Sequence, residues 1–333
     1  MIQQRSPRVA YWLLGAGVVA VMFVGMLAGS VDVGLSDLWH MIGYRFGVGE
    51  ERLTDSVLWS VRLPRVLAGL TAGAGLAVAG VALQGVFRNR MADAHLVGVA
   101  PAAGLGAVAG IALTSPGGSP IIMMAGAALG GVVLALLMRR IAENVTDSGQ
   151  LILVGIALGF ALLALLGAIV LAWDSPRVPT FNFWIFGGLS GATWSTLGAA
   201  VPFVLAGAAG VVTMGRSLDI LALGEDEARH LGVDVARLRL LTLVAVGVIV
   251  GGVVGLAGVI GFVGLVVPML LRAWIGPAHR HLVLVSALGG AVALAGLDVL
   301  ARTVAAPVEI PIGLITAIGG APVLVWFLLR RQR

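Results

Sequence analysis

The sequence predicts an all-α polytopic membrane protein with about ten transmembrane helices. Of its 333 residues, 59% are hydrophobic and only 11% are charged, and the mean hydropathy is +1.05. A soluble domain carries about 25% charged residues, so this chain lacks the polar surface that water would require. The 49 glycines fit the same class, because small residues let transmembrane helices approach closely.

Stretches without Asp, Glu or Arg locate the membrane spans. A helix needs about 20 apolar residues to cross the bilayer core. Two stretches predict two spans each, because 94–138 is cut at 114–120 and 240–271 is interrupted by glycines before Pro268. Eight stretches therefore predict ten spans: 9–31, 66–87, 94–138, 148–173, 178–215, 240–271, 281–297 and 310–329.

The arginines predict the orientation, because positive charge favours cytoplasmic loops. With the N-terminus inside, 15 of the 21 arginines lie on the cytoplasmic side. An even number of spans then places both termini in the cytoplasm. The first apolar run exceeds the core of a signal peptide, about 7 to 15 residues, so we expect a retained helix. Residues 1–333 are expected to form a single transmembrane domain.

Missing residue types exclude several chemistries. Lysine is absent, which excludes a conventional P-loop ATPase, because that loop needs a lysine on the nucleotide phosphates. Cysteine is also absent, which excludes disulfides, thiolate chemistry and Cys-based metal sites. The net charge of +5 would suit nucleic acid in a soluble protein, but the arginines are scattered between apolar runs. We interpret them as topology signals and expect no nucleic-acid partner.

Two other classes of membrane protein remain as weaker alternatives. Gly188-Leu-Ser-Gly191 matches a string of intramembrane serine proteases, yet all five histidines lie in or beside loops, so Ser190 has no predicted base in a span. Secondary transporters usually keep ionisable residues in the membrane. Here the spans hold one acid, Asp298, near the outer end of the ninth.

Two hydrophilic segments have appreciable length, an outer loop at about 30–60 and a cytoplasmic segment at about 215–239. In the cytoplasmic one, acids precede Arg229 and His230, which complements a helix dipole. Gly232 follows, as suits a left-handed helix end. The pattern predicts a short surface helix, which is either a solvated connector or a docking element for a cytosolic partner.

Two parts of the chain repeat one pattern. Residues 77–106 and 251–276 each pass from an apolar helix, through a break, into a short glycine-rich segment. Paired short segments in two halves are typical of the inverted repeats of transporters. The sequence therefore predicts inverted repeats.

Ordered motifs along residues 55 to 330 identify a family. The chain resembles the permease family of bacterial ABC importers for ferric siderophores, haem and vitamin B12. The motifs that carry the resemblance are Val61-Arg-Leu-Pro-Arg-Val66, Gly80-Val-Ala-Leu-Gln-Gly-Val-Phe-Arg-Asn89 with Ala92-Asp93, Phe183-Trp184 with Gly187-Gly-Leu-Ser-Gly-Ala-Thr-Trp194, Leu221-Ala-Leu-Gly-Glu225, Gly261-Phe-Val-Gly-Leu-Val-Val-Pro268, and Glu309-Ile-Pro-Ile-Gly313 with Gly320-Ala-Pro322.

The resemblance implies a type II ABC importer permease in the bacterial inner membrane. Family members pair as homodimers, take power from two cytosolic ATPase subunits and receive substrate from a periplasmic binding protein. ATP and Mg are thus expected on the ATPase partner, with no catalytic residue, metal or cofactor on this chain. Besides these proteins, the expected partner is membrane lipid.

The resemblance also implies site residues. Coupling to the ATPase is assigned to Leu223, Gly224, Glu225, Ala228, Arg229, Leu231 and Gly232. Docking of the binding protein is assigned to Arg62, Arg65 and Arg302, which form a basic rim on the outer face; for Arg62 and Arg65, anchoring of lipid headgroups is the alternative. The cytoplasmic gate is assigned to Asn89, Met91, Ser148 and Gly149.

The turn after Asn89 departs from the family pattern. Relatives read Asn-Pro-Leu-Ala-Asp-Pro, whereas this chain has Arg90 and Ala94 in place of both prolines. The shape of the gate is thus not implied by the family.

For the substrate, we rank an iron chelate, a ferric siderophore or haem, above vitamin B12. Arg177, at the outer mouth, is a candidate guide for an anionic cargo. Its alternative roles are to hold Asp174 or a lipid phosphate.

Overall fold

The computed structural model describes residues 6–29, 31–114, 119–142, 148–173, 186–306 and 308–330, and these form helices joined by turns and loops, with no strand among them. A five-residue π-helical turn, Leu58–Arg62, joins the helices Leu53–Val57 and Leu63–Val86. The helices are α1 Pro7–Leu27, α2 Leu35–Arg45, α3 Leu53–Val57, α4 Leu63–Val86, α5 Val99–Ala112, α6 Pro120–Ala142, α7 Ser148–Ala172, α8 Trp194–Leu221, α9 Glu225–His230, α10 Val235–Ala257, α11 Val263–Ile275, α12 His279–Thr303 and α13 Ile312–Arg330.

The apolar helices occupy the positions of the predicted spans. Within the described residues, six are long and apolar enough to cross a membrane: α1, the continuous α3–α4 segment, α6, α8, α10 and α12. Four shorter apolar helices correspond to α5, α11 and the central parts of α7 and α13. The expectation of about ten membrane helices is therefore confirmed. The outer loop, in contrast, contains a further helix, α2, that the charge-free runs did not show.

Two helices, α4 and α10, form the centre of the molecule. They pack against each other, and their most apolar windows are 78% and 72% buried. Both are built mainly from Gly, Ala, Val and Leu, so neighbours approach them from all sides. The start of α10 is set locally, because the Asp234 side chain accepts a hydrogen bond of 2.9 Å from the Arg237 N–H.

The packing repeats in two halves. The central helix of each half packs into the other half: α10 of the second half packs against α5 and α6 of the first, and α4 of the first half packs against α11 and α12 of the second. Each half contributes five membrane helices, α1 with α4–α7 and α8 with α10–α13. Five is odd, so the second half crosses the membrane in the opposite sense. This pattern is that of the predicted inverted repeats.

The two short helices begin alike. Gly98 precedes α5 with φ +84°, and Phe262 precedes α11 with φ +68°. A left-handed conformation is easy for glycine and strained for phenylalanine. The Phe262 side chain is packed beside Gly320, where a Cβ would lie 2.6 Å from its ring. Tertiary packing therefore maintains at Phe262 a backbone shape that Gly98 adopts without cost.

Backbone contacts join the centre to its neighbours. A Cβ at Gly73 of α4 would overlap the carbonyl of Gly290 in α12. At the equivalent crossing of the other half, a Cβ at Gly247 of α10 would lie 2.9 Å from the carbonyl carbon of Gly131 in α6. Such approach is possible only where side chains are absent.

We expect Gly73→Ala to destabilise the protein by about 1–3 kcal/mol, because the added methyl group forces α4 and α12 apart. Gly198→Ala is the matched control, since a Cβ there has no heavy atom within 4 Å. The control should be neutral or slightly stabilising. Thermal unfolding of both variants in detergent measures the difference, and equal midpoints would show that the crossing tolerates a side chain.

Candidate functional site

The short helix α9, which the sequence predicts to be cytoplasmic, is shaped by the glycines on either side of it. Gly232 follows the helix with φ +83°, and its N–H donates to the Arg229 carbonyl at 3.0 Å. The Val233 N–H donates to the Ala228 carbonyl at 2.9 Å, which completes a Schellman end. At the other end, a Cβ at Gly224 would overlap the Glu227 carboxylate. The predicted short surface helix and its left-handed end are confirmed.

The residues assigned to coupling divide into an anchor and an exposed face. Ala228 is fully buried, whereas Leu223 and Leu231 are 67% and 61% exposed. The Arg229 side chain is 62% exposed and lies 3.1 Å from Asp226. Glu225 faces inward in part, because it pairs with Arg239 of α10. Of the assigned residues, two leucines and one arginine are therefore exposed, beside the exposed charged and polar side chains of Asp226, Glu227 and His230.

A polar cluster that the sequence analysis did not find lies behind this segment. Asp219, in the last turn of α8, accepts hydrogen bonds from the backbone N–H of His279 at 2.8 Å and from its Nδ1 at 2.7 Å. Arg272 donates to the Gln84 Oε1 at 3.2 Å. Gly85 makes room for the imidazole, since a Cβ there would lie 2.6 Å from Nε2. The cluster connects α8, just before α9, to α4, α11 and α12.

The turn between α4 and α5 is held by its own side chains. The Asn89 Oδ1 accepts the Met91 N–H at 2.8 Å, and the Asp93 Oδ1 accepts the His95 N–H at 2.9 Å. These two Asx turns constrain the backbone where relatives have prolines. Burial raises the pKa of the Asp93 carboxyl, against the opposing effects of His95 and nearby backbone N–H groups.

The remaining gate and path residues can be placed only in part. Ser148 and Gly149 begin α7, but their side chains lie outside the described residues, as does the whole of Arg177. The assignment of a gate to these positions stays a prediction. Among the described residues, no group of three His, Asp or Glu side chains is placed to hold a metal ion.

Two of the outer arginines cap the C-terminal end of α1. Arg62 donates from Nη1 to the carbonyls of Met26 and Leu27, both at 2.7 Å. Arg302 donates from Nη2 to the Gly25 carbonyl at 2.6 Å. The last carbonyls of a helix lack partners within it, and cations there are favourable. Arg62 therefore ties α1 to the π-helical turn before α4, and Arg302 ties α1 to α12.

The third outer arginine belongs to a buried ion-pair network. The Arg65 Nη2 lies 2.9 Å from Asp298 Oδ1, and its Nη1 lies 2.8 Å from Glu309 Oε1. Arg302 also approaches Asp298, at 3.6 Å. Asp298, the one acid predicted within a span, is thus the centre of a network that joins α4, α12 and the segment before α13.

The three arginines assigned to the basic rim are buried in the structure. Arg62, Arg65 and Arg302 are only 4%, 8% and 6% exposed. Internal carbonyls and acids accept hydrogen bonds from most of their donors. Their docking role stays a prediction. The exposed charged side chains of the described outer loop are Asp32, Arg45, Glu50, Glu51 and Arg52.

Comparison with known proteins identifies the family. The chain matches the sequence model of the FecCD transport family over residues 17–330. It belongs to the FecCD transport family. FecCD permeases are transport subunits of ABC importers and are not enzymes, because their ATPase is a separate subunit. The expected ATPase partners and substrate-binding protein follow from this membership.

Individual relatives agree over nearly the whole chain. The hemin permease HmuU of Yersinia pestis is 34% identical over 95% of this chain and 95% of its own. The vitamin B12 permease BtuC of Vibrio cholerae is 36% identical over 99% of this chain and 96% of its own. A solved structure assigned to the metal-chelate type of ABC transporter, in an inward-facing conformation, superposes with a TM-score of 0.82 at 28% identity, covering 98% and 100% of the chains. This FecCD chain is therefore a multi-pass inner-membrane permease.

We expect Arg65→Met to destabilise this FecCD permease by about 3–5 kcal/mol, because it leaves buried Asp298 with one distant partner. Adding Asp298→Asn should restore part of the loss, since the unpaired charge is then removed. Thermal unfolding without any binding protein present separates this effect from docking. Arg52→Gln, at an exposed outer position, is the control and should stay within about 0.5 kcal/mol. An unchanged midpoint for Arg65→Met would contradict the network.

Proposed function

We propose that this ABC permease moves an iron chelate, a ferric siderophore or haem, into the cell as a homodimer. The observation that carries the cargo class is the match to a transporter of the metal-chelate type, supported by the hemin permease among the relatives. Vitamin B12 is the second candidate, because relatives of equal similarity carry that name. All three cargoes are metal complexes too large for an ion channel.

The homodimer is argued from two loosely packed helices, α7 and α13. They hold equivalent places in the two repeats, and among the described residues each packs mainly on two neighbouring helices. Their exposed faces are apolar, with Phe160 69% and Ile318 75% exposed. An open apolar groove of about 640 Å³ lies beside α7 and is lined by α5, α6 and Leu162. A second copy packed here would enclose a path between the subunits.

The chemistry of α7 and α13 suits a shielded metal complex. Between 148 and 172 and between 312 and 329 the chain has no charged residue. A bare ion would remain unpaired in such a path, whereas a chelate carries its metal inside organic ligands. At the outer end, Arg177 is proposed to guide the carboxylates of an anionic cargo. With α9 on the cytoplasmic side, both termini are proposed to lie in the cytoplasm.

We propose that the ATPase subunit acts on the permease through α9. Leu223, Leu231 and Arg229 would seat in the ATPase subunit, which holds ATP and Mg. The pair between Glu225 and Arg239 keeps α9 against α10. Movement of α9 would be transmitted from the end of α8 to the start of α12 through the Asp219–His279 hydrogen bonds.

Cargo choice is tested by reconstituting the permease with its ATPase and binding protein in liposomes. We expect ATP-dependent accumulation of haem or a ferric siderophore and none of vitamin B12. Excess unlabelled cargo should suppress the signal. Accumulation of vitamin B12 alone would show that the cargo is a corrinoid and not an iron chelate. Accumulation of no metal complex would contradict both.

Coupling is tested by co-purification of the ATPase. The double variant Glu225→Gln/Arg229→Gln should bind the ATPase more weakly by about 1–2 kcal/mol, roughly five- to thirtyfold, because an interface arginine and the tie to α10 are both lost. Arg237→Gln removes an exposed arginine nearby and is the control. The permease alone should hydrolyse no ATP. Normal attachment of the double variant would make the segment a connector.

A further inference from the structure

The outer helix α2 has one face that packs on the protein. At about 100° per residue, Leu38 and Met41 fall on the same side of this helix. Both are buried, and they form a small cluster with Met26, in the last turn of α1, and Leu58, in the π-helical turn before α4. These contacts hold α2 beside the outer ends of two membrane helices.

A second face of α2 is apolar and uncovered. Leu35, Trp39, Ile42 and Phe46 fall within an arc of about 60°. Their exposed fractions are 51%, 68%, 41% and 84%. Four large apolar side chains in one stripe exceed the scattered exposure that is normal for a protein surface.

The third face of α2 is polar and lies roughly opposite the apolar stripe. It carries Ser36, Asp37, His40 and Tyr44, which the helical spacing places on one side of α2. The His40 Nδ1 lies 3.0 Å from Asp55, and the Tyr44 hydroxyl donates to Glu51 at 3.2 Å. These groups are tied to the polar part of the outer loop.

Aromatic residues mark the same level of the molecule. Trp59 packs against Trp194, the first residue of α8, with ring centroids 5.1 Å apart and ring planes tilted by 40°. The Arg45 guanidinium lies 4.1 Å above the Trp59 ring. Tryptophan and arginine together are typical of the boundary between membrane and water.

We propose that α2 lies flat in the outer leaflet, with its apolar stripe inserted among lipid tails. Its three faces then meet three surroundings: protein at the side, lipid below and water above. The exposed apolar surface of α1, including Phe23, reaches the same outer end of the bundle and continues the lipid contact. The stripe contains no charged or hydrogen-bonding group except the Trp39 indole, as lipid tails require. This anchor sets the depth of the outer ends of α1 and α4.

The absence of cysteine allows a direct test on the assembled importer. Trp39→Cys and, as control on the polar face, Ser36→Cys are each labelled with a nitroxide and reconstituted with the ATPase in phospholipid vesicles. Collisions with oxygen, which concentrates in lipid, and with a water-soluble nickel complex are compared. The nitroxide at position 39 should collide more often with oxygen than with the nickel complex, and the nitroxide at position 36 should collide more often with the nickel complex.

Each other outcome overturns the proposal. Preference for nickel at position 39 would place the stripe in water. Protection at 39 that appears only after addition of the binding protein would make the stripe a docking surface. Dipolar broadening between labels at 39 would place it between two copies of the chain. The Ser36→Cys variant shows in each case that the labelled protein has assembled.

Discussion

Backbone contact around α4 and α10 is the constraint on which the rest of this permease depends. Lipid tails are as apolar as the helices, so helix association rests on close packing. A Cβ at Gly80 would overlap the carbonyl of Gly264, just as one at Gly73 would overlap that of Gly290. Because both central helices keep such surfaces, α11 and α12 approach α4 as α5 and α6 approach α10.

Hydrogen bonds and ion pairs at the two ends of the bundle hold the packed helices in position. On the outer side, Arg62 and Arg302 satisfy the last carbonyls of α1, and Arg65 neutralises Asp298. At the opposite end of the bundle, Asp219 holds the start of α12. A buried charge without a partner is costly in a protein interior. These residues therefore fix where helices end relative to one another.

The helices to which we assign roles in transport, α7, α9 and α13, lie at the edge of this core. α9 follows the Asp219 cluster within a few residues and is held to α10 by the Glu225–Arg239 pair. Among the described residues, α7 and α13 make fewer helix contacts than α4 and α10, and both carry exposed apolar side chains such as Phe160 and Ile318.

The sequence by itself determined the membrane spans, the family and the shape of α9. A span depends on about 20 consecutive apolar residues, and a helix end on a nearby glycine such as Gly232, so both are local. The family follows from motifs that are local as well. Only the tertiary structure decided that Arg65 is buried, because its partner Asp298 is 233 residues away in the chain. It likewise paired Asp219 with His279 and gave α2 its three faces, since exposure depends on which other helices pack nearby.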